Sequence, residues 1–367
     1  MLYLSYLHLL RLKHDYGSYT LDITGPVMIG VQKVTSLAFS LHDGLSKPSE
    51  QLTNEQSKYA VRKVPSLLEF FSYIFQFQSF MSGPLIYYND YIEFIEGKNF
   101  SRHLEGNPNK IRPTQMGAVL WRLWISITFA IMWLIFSPKF PITQLADEKF
   151  LKESSIWQIM VFLFATTAVA RFKYYHAWNL GETVCNASGL GFNGFTVDGK
   201  PKWDLVSGVD IYRFETSLNL REALEAWNKT TQSWLRRTAY ERSPHYRTLA
   251  TFALSAVWHG FYPGYYMTFL TGAIFTQAAR TARRCLRPRF QRSVASQKLY
   301  DVLTFIMTRM MIAYLVFPFV LLEFNASLKV YSRLFFYGHI VSLFAIFVLP
   351  RILPAPSAKG VTHQKSS

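Results

Sequence analysis

The sequence predicts an all-α polytopic membrane protein, and three of its features lead to this fold class. Half of the 367 residues are hydrophobic and only 17% are charged, whereas about a quarter of the residues of a soluble domain carry charge. Several apolar runs are long enough to cross a bilayer as helices, and the sequence lacks a series of short alternating strands. The composition excludes a disordered chain, and the two cysteines, Cys185 and Cys285, are too few and too far apart for a small disulfide-held domain.

Four apolar segments are strong candidates for membrane-spanning helices, each of which needs about 20 residues. They cover 119–136, 249–279, 302–322 and 334–350. Weaker candidates, which are shorter or interrupted by proline and polar residues, cover 23–41, 64–81 and 156–170. Interrupted segments occur where helices bury polar faces against each other or line a cavity. The sequence therefore predicts roughly seven to nine hydrophobic segments, all of them helical.

The segment 249–279 is longer than one span requires, because it has no Lys, Arg, Asp or Glu over 31 residues. Two arrangements fit it. It forms one long tilted helix, or it breaks at Pro263-Gly264 into two half-helices, because proline removes a backbone hydrogen bond and glycine weakens a helix. The residues alone leave both arrangements open.

Positive charge is concentrated between two of the predicted spans. The net charge is +16, and residues 280–292 contain six arginines and no acid. In a membrane protein this charge indicates contact with anionic headgroups rather than with nucleic acid. The positive-inside rule places the arginine cluster and the polar tail 351–367 in the cytosol. We interpret the cluster as a topology determinant, with contact to phosphate groups as the alternative. The N-terminal run LYLSYLHLLRL lacks the basic start and the cleavage site of a signal peptide.

Two glycine-rich patterns resemble nucleotide sites but lack the required context. Residues 189–194 read GLGFNG, yet a dinucleotide site needs a preceding strand, and a helical apolar run comes before this segment. The overlapping P-loop pattern has Pro201 where a Ser or Thr would hold magnesium. We therefore interpret the region as a loop between membrane helices. The zinc motif His-Glu-x-x-His and the nucleophile elbow Gly-x-Ser-x-Gly are absent from the sequence.

Polar side chains stand among aromatic and apolar residues in two segments, and the first of these is 225–237. It reads EAWNKTTQSWLRR. At helical spacing, Asn228 shares one face with Leu224, Thr231 and Leu235. This spacing predicts that Asn228 points toward packed neighbours.

The second segment, 255–266, reads SAVWHGFYPGYY and places His259 inside the uncharged run. An ionisable residue within a membrane segment suggests a function. A neutral imidazole can accept a proton near neutral pH, so His259 is a candidate general base. Gly260 beside it would let a substrate or another helix approach closely. A histidine hydrogen-bonded within a helix bundle is the alternative, and a structural role is also the interpretation for His8, His42, His176 and His339.

These two segments, WNKTTQSWLRR followed by SAVWHGFYPGYY, resemble the signature pair of the membrane-bound O-acyltransferase family. Segments 15–44 and 171–194 are similar to the lysophospholipid acyltransferase branch of this family, types 1 and 2. The resemblance covers nearly the whole chain. It implies a multi-helix bundle that encloses a reaction chamber, with His259 as the catalytic histidine and Asn228 as the catalytic asparagine. Family members are longer at the N-terminus, so we expect this chain to lack N-terminal spans.

The resemblance also implies a reaction, the transfer of a fatty acyl group from acyl-CoA to the free hydroxyl of a lysophospholipid. This is phospholipid remodelling in the endoplasmic reticulum membrane. His259 would act as the general base, and Asn228 would orient the reacting group or stabilise the oxyanion. Acyl-CoA is then a co-substrate, no cofactor or metal is implied, and the partners are lysophospholipid and membrane lipids. We expect one transmembrane domain over 1–350.

Further residues are candidates for binding the substrates. Trp178, Glu182 and Asn186 follow one another at four-residue spacing, so they share a helical face and are expected to line the chamber. Core packing is the alternative for this face. Arg236 and Arg237 would attract phosphate groups of CoA or of the headgroup, or would face the membrane surface. Four aromatic residues complete the set, although packing is the simpler interpretation for each of them: Trp227, Trp234, Trp258 and Tyr262.

Two other functions remain as alternatives at this point. The first is acyl transfer within the same fold to a different acceptor, such as a sterol, diacylglycerol or a protein. The second belongs to another class, a transporter or a non-catalytic membrane scaffold, which includes a truncated regulatory form. In that class, replacement of His259 would leave lipid turnover unchanged, so the two classes differ in a measurable property.

Overall fold

The computed structural model describes residues 1–18, 22–81, 83–104 and 112–355. These residues fold largely into helices, with one isolated β-bridge between Phe195 and Pro201. The predicted all-α class is therefore confirmed for the part of the chain that the structure describes. Most of the polar tail predicted for 351–367 lies outside the described residues.

The helices alternate between long apolar ones and short polar ones. In chain order the first are α1 (Leu2–His14), α2 (Thr24–Ser46), α3 (Asn54–Tyr59), α4 (Leu67–Ile74), α5 (Phe77–Phe80), α6 (Tyr88–Ile95), α7 (Lys98–Leu104), α8 (Met116–Phe136), α9 (Glu148–Glu153) and α10 (Ile156–Ser188). The chain continues with α11 (Ile211–Thr216), α12 (Leu220–Ala226), α13 (Lys229–Leu235), α14 (Arg247–His259), α15 (Pro263–Phe290), α16 (Val294–Leu321), α17 (Phe324–Arg333), α18 (Tyr337–Phe347) and α19 (Leu349–Ile352). Shorter turns lie at Ser49–Gln51, Ile142–Ala146 and Arg236–Tyr240, the last a π-helical turn.

Three helices are long and apolar enough to cross a membrane: α8, α10 and α16. The pair α17 and α18–α19 passes the same test together but bends by 73°, which gives up to four spans. The predicted segments 119–136 and 302–322 fall almost entirely within α8 and α16, and 334–350 is covered by the bent pair. The segment 156–170 is the start of the much longer α10. Among the described residues, the number of helices that could span is thus lower than the number of predicted hydrophobic segments, which included short and interrupted ones.

Three predicted hydrophobic segments do not form a single spanning helix, and each has a local reason. Residues 64–81 fold as two short helices, α4 and α5, and neither is long enough to span. The segment 23–41 lies within α2, which buries polar residues such as Gln32 and Lys33 and is too polar to count as a span. The segment 249–279 is two helices, because α14 ends at His259 and α15 begins at Pro263. The broken arrangement is therefore the one observed.

The face predicted for residues 224–235 is not continuous, and this corrects the sequence interpretation. Helix α12 ends at Ala226 and α13 begins at Lys229. Between them Asn228 has a left-handed backbone with φ 43° and ψ 56°, a conformation that a helix interior does not contain. Helical spacing therefore does not relate Leu224 to Asn228.

The chain divides into two compact units. The first comprises Met1–Phe136, Val169–Ile211 and Glu225–Phe261, and the second comprises Ser137–Ala168, Tyr212–Leu224 and Tyr262–Ser367. This division does not test the prediction of one domain over 1–350, which stays a prediction.

The first unit contains a buried cluster that joins α1 to the C-terminal helices of the unit. Leu4 of α1, Trp234 and Leu235 of α13 and Trp258 of α14 pack together with Leu85 and Tyr87. A second cluster, which includes Tyr73, Ile86 and Cys185, lies around α2, α4 and α10. The unit therefore places the ends of α13 and α14 against its core.

The second unit is built around aromatic residues of α16, α17 and α18. The rings of Tyr314 and Tyr331 lie 4.7 Å apart, and both residues are fully buried. His339 lies 2.9 Å from the Tyr314 hydroxyl through Nδ1 and 3.2 Å from the Thr271 hydroxyl through Nε2. These contacts support the structural role that we expected of His339.

An ion pair in the first unit joins α2 to the chain that follows α13. The Arg242 guanidinium donates to both carboxylate oxygens of Asp43, at 3.0 and 2.5 Å, and Asp43 is fully buried. Burial alone would raise the pKa of Asp43, but the hydrogen bonds and the charge of Arg242 outweigh it and hold this pKa below its ordinary value. The two-pronged geometry makes this pair stronger than a surface contact.

Replacing Asp43 with Asn is expected to lower the free energy of unfolding by about 3 kcal/mol at pH 7, because Arg242 loses its charged partner. The pKa of Asp43 is lower in the folded than in the unfolded chain. The pair therefore stabilises the fold above about pH 4, and this contribution is lost as the pH falls through the folded pKa. Thermal unfolding of detergent-solubilised protein across this pH range measures both effects.

Glu148→Gln is the matched control for this prediction. It breaks the Lys329–Glu148 ion pair, in which both side chains are more than half exposed, so we expect an unchanged unfolding temperature. A variant Asp43→Asn that is as stable as the wild type at neutral pH would show that the pair contributes nothing.

Candidate active site

His259 is the last residue of α14, and its ring orientation is fixed by its own helix. The imidazole Nδ1 lies 2.7 Å from the backbone oxygen of Ser255, one turn earlier. A carbonyl oxygen only accepts hydrogen bonds, so Nδ1 carries the proton and Nε2 carries the lone pair of the neutral ring. The Trp258 ring stands edge-on to the imidazole, 4.6 Å away. His259 is therefore held in one tautomer, with Nε2 as its basic atom.

The helix ends directly after His259 because Gly260 leaves the helical conformation. Gly260 has φ 126° and ψ −166°, a region that residues with a side chain avoid. Its N–H still donates to the Ala256 oxygen, 3.1 Å away, which closes the last turn. A Cβ at this position would come within 2.9 Å of Nδ1 of His8. The Trp-His-Gly sequence therefore ends a helix and makes room for His8 at the same point.

Two tryptophans hold the ends of α13 and α14 against α2. The indole N–H of Trp258 donates to the backbone oxygen of Met28, 3.0 Å away. The indole N–H of Trp234 donates to the hydroxyl of Thr35 at 2.9 Å. The two rings lie 5.6 Å apart, and both side chains are buried. Trp234 and Trp258 therefore pack α13 and α14 against α2, and whether either also touches a substrate stays a prediction.

Asn228 occupies the position before the first turn of α13, and its conformation is unusual. Its φ of 43° lies in the left-handed region, which asparagine tolerates better than most residues. An asparagine at this position usually accepts a hydrogen bond from the helix through its side chain. Asn228 makes no such capping bond. The fold thus accepts a strained backbone here without using the amide to cap the helix, which is typical of a functional position.

Trp178 and Trp227 pack against each other beside Asn228. The spacing of these residues in the sequence did not predict this contact. Their rings lie 4.8 Å apart, edge to face. Gly208 packs against Trp178, where a Cβ would lie 3.1 Å from the tryptophan Cβ, and its carbonyl accepts the N–H of Lys229 at 2.8 Å. The face of α10 that carries Trp178 and the turn that carries Asn228 are therefore neighbours.

Glu182 and Asn186 continue this face of α10, and both are buried. Glu182 forms an ion pair with Arg122 of α8, with Oε1 and a guanidinium nitrogen 2.9 Å apart. Arg122 also donates to the side chain of Asn179, at 3.4 Å. The Asn186 amide lies against Gly191 and has no hydrogen-bond partner among the described residues. Whether Trp178, Glu182 and Asn186 line a chamber stays a prediction.

The two arginines after Trp234 are separated by the fold. Arg236 is exposed and pairs with Glu241, 2.8 Å away. Arg237 is buried, and its guanidinium lies 4.5 Å from the ring centre of Tyr59 and 4.6 Å from that of Tyr87. One residue thus faces solvent and the other stacks between tyrosines. Whether either attracts a phosphate group stays a prediction.

Burial sets the electrostatics around Arg237. It raises the pKa of the Tyr59 and Tyr87 hydroxyls, so both rings are neutral at physiological pH. It also raises the pKa of Asp90 to about 6, while Lys58 lowers it. Arg237 therefore lies among neutral tyrosines, with a carboxylate nearby that titrates just below neutral pH.

Tyr262 belongs to the second unit and lies at the start of α15. It is buried, precedes the first residue of α15 and lies 5.5 Å from the ring of Tyr265. The backbone N–H of Gly264 donates to the Leu322 oxygen, 2.9 Å away, and a Cβ on Gly264 would collide with Pro318. Tyr262 thus stands at the start of a helix that packs very closely on α16.

Sequence reasoning missed the partners of two residues in this region. His8 is buried and hydrogen-bonded, in keeping with the structural role expected of it, and its partners are Trp258 and Gly260. Arg122 lies within the predicted span 119–136, and in the structure it pairs with Glu182. The signal for Arg122 was present, since a lone arginine in an apolar span requires a partner. No local pattern could have paired His8 with residues 250 positions later.

The comparisons with known proteins define the class of this chain. Residues 9–317 match the family model described as MBOAT, the membrane-bound O-acyltransferase family. The chain belongs to this family, and the predicted resemblance is confirmed.

Three curated relatives show which members it is similar to. Lysophospholipid acyltransferase 6 of Drosophila melanogaster is 48% identical over 363 residues, which are 96% of this chain and 50% of that protein. Membrane-bound glycerophospholipid O-acyltransferase 1 of Mus musculus is 41% identical over 356 residues, 95% of this chain and 72% of that protein. The lysophospholipid acyltransferase of Schizosaccharomyces pombe is 35% identical over 349 residues, 92% of this chain and 68% of that protein. The chain thus spans half the length of the Drosophila relative.

Asn228 offers a test that separates the backbone from the side chain. Asn228→Gly removes the amide and keeps a residue suited to the left-handed backbone, so the unfolding temperature should stay near that of the wild type. If the amide stabilises an oxyanion, acyl transfer falls by roughly 100-fold. Asn228→Ala should lose the same activity and also some stability, by about 1 kcal/mol. Acyl transfer and thermal unfolding of both variants are the measurements, and an active Asn228→Gly would show that the amide has no chemical role.

Proposed function

We propose that this chain transfers a fatty acyl group from acyl-CoA to the free hydroxyl of a lysophospholipid, with His259 as the general base. The observation that carries the proposal is the bond from Nδ1 of His259 to the Ser255 oxygen, which leaves Nε2 as the basic atom at the end of α14. The names of the relatives, lysophospholipid and glycerophospholipid acyltransferases, support this choice of reaction.

The proposed reaction needs a base and an oxyanion stabiliser but no covalent intermediate, because a thioester is already activated. The acceptor hydroxyl loses its proton to Nε2 of His259 while its oxygen attacks the thioester carbonyl. The tetrahedral oxyanion then collapses, and the bond to sulfur breaks. The proton held by His259 passes to the departing CoA thiolate. The products are the phospholipid ester and free CoA, and His259 returns to its neutral form.

Asn228 is proposed to donate its amide to the oxyanion or to orient the acceptor. Two observations support this role: the strained backbone of Asn228 and the absence of a capping bond from its side chain. Trp178 and Trp227, packed together beside it, would supply an apolar wall for an acyl chain. The ion pair of Glu182 with Arg122 would keep the next turn of α10 polar and rigid.

The endoplasmic reticulum membrane is the proposed location, with the arginine cluster at the cytosolic face. In the structure the cluster forms the C-terminal end of α15 and the turn after it, and Arg280, Arg284 and Arg287 are exposed there. This supports a headgroup-facing position for the cluster. Co-fractionation of the expressed chain with markers of this membrane tests the location.

The test of the reaction uses membranes from cells that express the full chain. Labelled oleoyl-CoA is offered with lysophosphatidylcholine, -ethanolamine, -serine or -inositol, and separately with cholesterol and diacylglycerol. We expect transfer to at least one lysophospholipid, and we expect His259→Ala to reduce its rate by roughly 10²- to 10⁴-fold. His245→Ala is the matched control, because His245 is exposed and lies before α14.

The outcomes separate the functions that the sequence left open. Transfer to cholesterol or diacylglycerol alone would replace the lysophospholipid as acceptor. Equal rates for the wild type and His259→Ala would show that His259 takes no part in the reaction. Absence of any transfer above that of untransformed membranes would favour a non-catalytic membrane protein.

A further inference from the structure

His8 of α1 is buried and contacts the last turn of α14, far away in the sequence. Its Nε2 lies 3.0 Å from the backbone oxygen of Trp258, and only 6% of the residue is exposed. Because a carbonyl oxygen only accepts, Nε2 of His8 carries a proton and donates it. The last carbonyls of a helix have no partner within the helix. His8 therefore supplies a missing donor to the residue that immediately precedes His259.

Gly260 forms the other side of the slot that holds His8. An ideal Cβ on Gly260 would lie 2.9 Å from Nδ1 and 3.1 Å from Cγ of His8, which is closer than atoms tolerate. The ring of Phe261 stands edge-on to the imidazole, with centres 6.2 Å apart. The His8 ring thus fills a space that exists only because residue 260 is glycine. Residues on both sides of His259 contact the same imidazole.

Burial lowers the pKa of His8 and so favours its neutral ring. The charged and titratable groups that act on it are Arg11, Asp22 and, in the last turn of α14, His259. Arg11 and Asp22 compensate each other, with their charged atoms 3.1 Å apart. A neutral His8 with its proton on Nε2 satisfies the Trp258 oxygen and adds no second positive charge beside His259.

We propose that His8 is a positioning residue for the general base. It holds the C-terminal turn of α14 through the Trp258 oxygen and the backbone of Gly260, and so fixes the place of the His259 ring between them. His8 touches no reacting atom in this role. The inference rests on the proposed function of His259, and its test is designed so that the two can fail separately.

The kinetic test compares two substitutions that differ in the hydrogen-bond donor. His8→Phe keeps an aromatic ring and removes the donor, whereas His8→Gln keeps a donor of similar reach. We expect His8→Phe to lower kcat by roughly 10- to 100-fold, because small misplacements of a catalytic group have effects of this size, with KM for both substrates changed by less than about threefold. His8→Gln should recover most of kcat. His14→Ala, on the exposed side of the same helix, is the matched control and should behave as wild type.

A second measurement reads the position of His259 without any enzymatic activity. Diethyl pyrocarbonate reacts with neutral imidazoles, and peptide mass spectrometry gives the modification rate of His259 alone in the solubilised full chain. His8→Phe should raise this rate severalfold, because the last turn of α14 loosens, while His14→Ala and His8→Gln should leave it unchanged. Thermal unfolding confirms that each variant is folded under the assay conditions.

The outcomes distinguish the two hypotheses. If acyl transfer depends on His259 but His8→Phe has wild-type kcat, the positioning role is wrong and the proposed function stands. If transfer does not depend on His259, the proposed function is wrong, and the modification rate alone decides whether His8 holds the turn. Equal modification rates of His259 in the wild type and His8→Phe overturn the positioning role in either case. Loss of kcat that His8→Gln does not recover also contradicts it, because the donor would then not be the cause.

Discussion

The hydrogen bonding of the carbonyl groups at the C-terminus of α14 is the constraint on which the candidate site depends. A helix that ends inside a protein must find donors for these oxygens from elsewhere. Here His259 donates to the Ser255 oxygen, Gly260 to the Ala256 oxygen and His8 to the Trp258 oxygen. The same bonds that satisfy the helix end also orient the imidazole. Chemical and structural requirements are therefore met by one set of contacts, so the site cannot be loosened without exposing buried polar groups.

Charged residues in apolar helices follow the same rule, because each one needs a partner that removes the cost of its burial. Arg122 of α8 pairs with Glu182 of α10. In the second unit, Arg309 of α16 donates to Glu215 and to the Ser217 hydroxyl. Such pairs act between particular helix positions and hence fix the register of one helix against another. The polar face of α10 near Trp178 thus has a defined place relative to α8.

The sequence predicted the helical class and the positions of the most apolar helices, because hydrophobicity and length are properties of a local run of residues. It also separated the loop at 189–194 from a nucleotide site, since that distinction depends on neighbouring segments. It could not predict the break at Asn228, because asparagine occurs in helices as well as in left-handed turns and the spacing of Thr231 and Leu235 looks helical. It left two arrangements for 249–279, and the choice depends on how Gly260 is packed rather than on Pro263 alone.

Long-range contacts were the part of the site that no local pattern contained. His8 and Trp258 are 250 positions apart, and Trp234 meets Thr35 at a separation of 199. In the sequence His8 is one histidine on an apolar helix, and in the structure it is the partner of the Trp-His-Gly turn. His8 is buried, and the residue beside it at position 260 is a glycine with a positive φ. These two observations together show why a polar ring fits against this turn. A family signature therefore points to His259 and Asn228 as candidates but contains no signal for His8.

Asn228 and His259 are held in different ways, and this difference bears on how a substrate would meet them. Asn228 is placed by its backbone, because its left-handed conformation is fixed between α12 and α13 and the adjacent Lys229 N–H is bound by Gly208. His259 is placed by side chains, because its own ring and that of His8 hold the helix end. The reaction proposed above needs both side chains at one reacting centre. The two residues must therefore be kept in register although they are held differently, and the contact of Trp234 in α13 with Trp258 in α14 joins the helices that carry them.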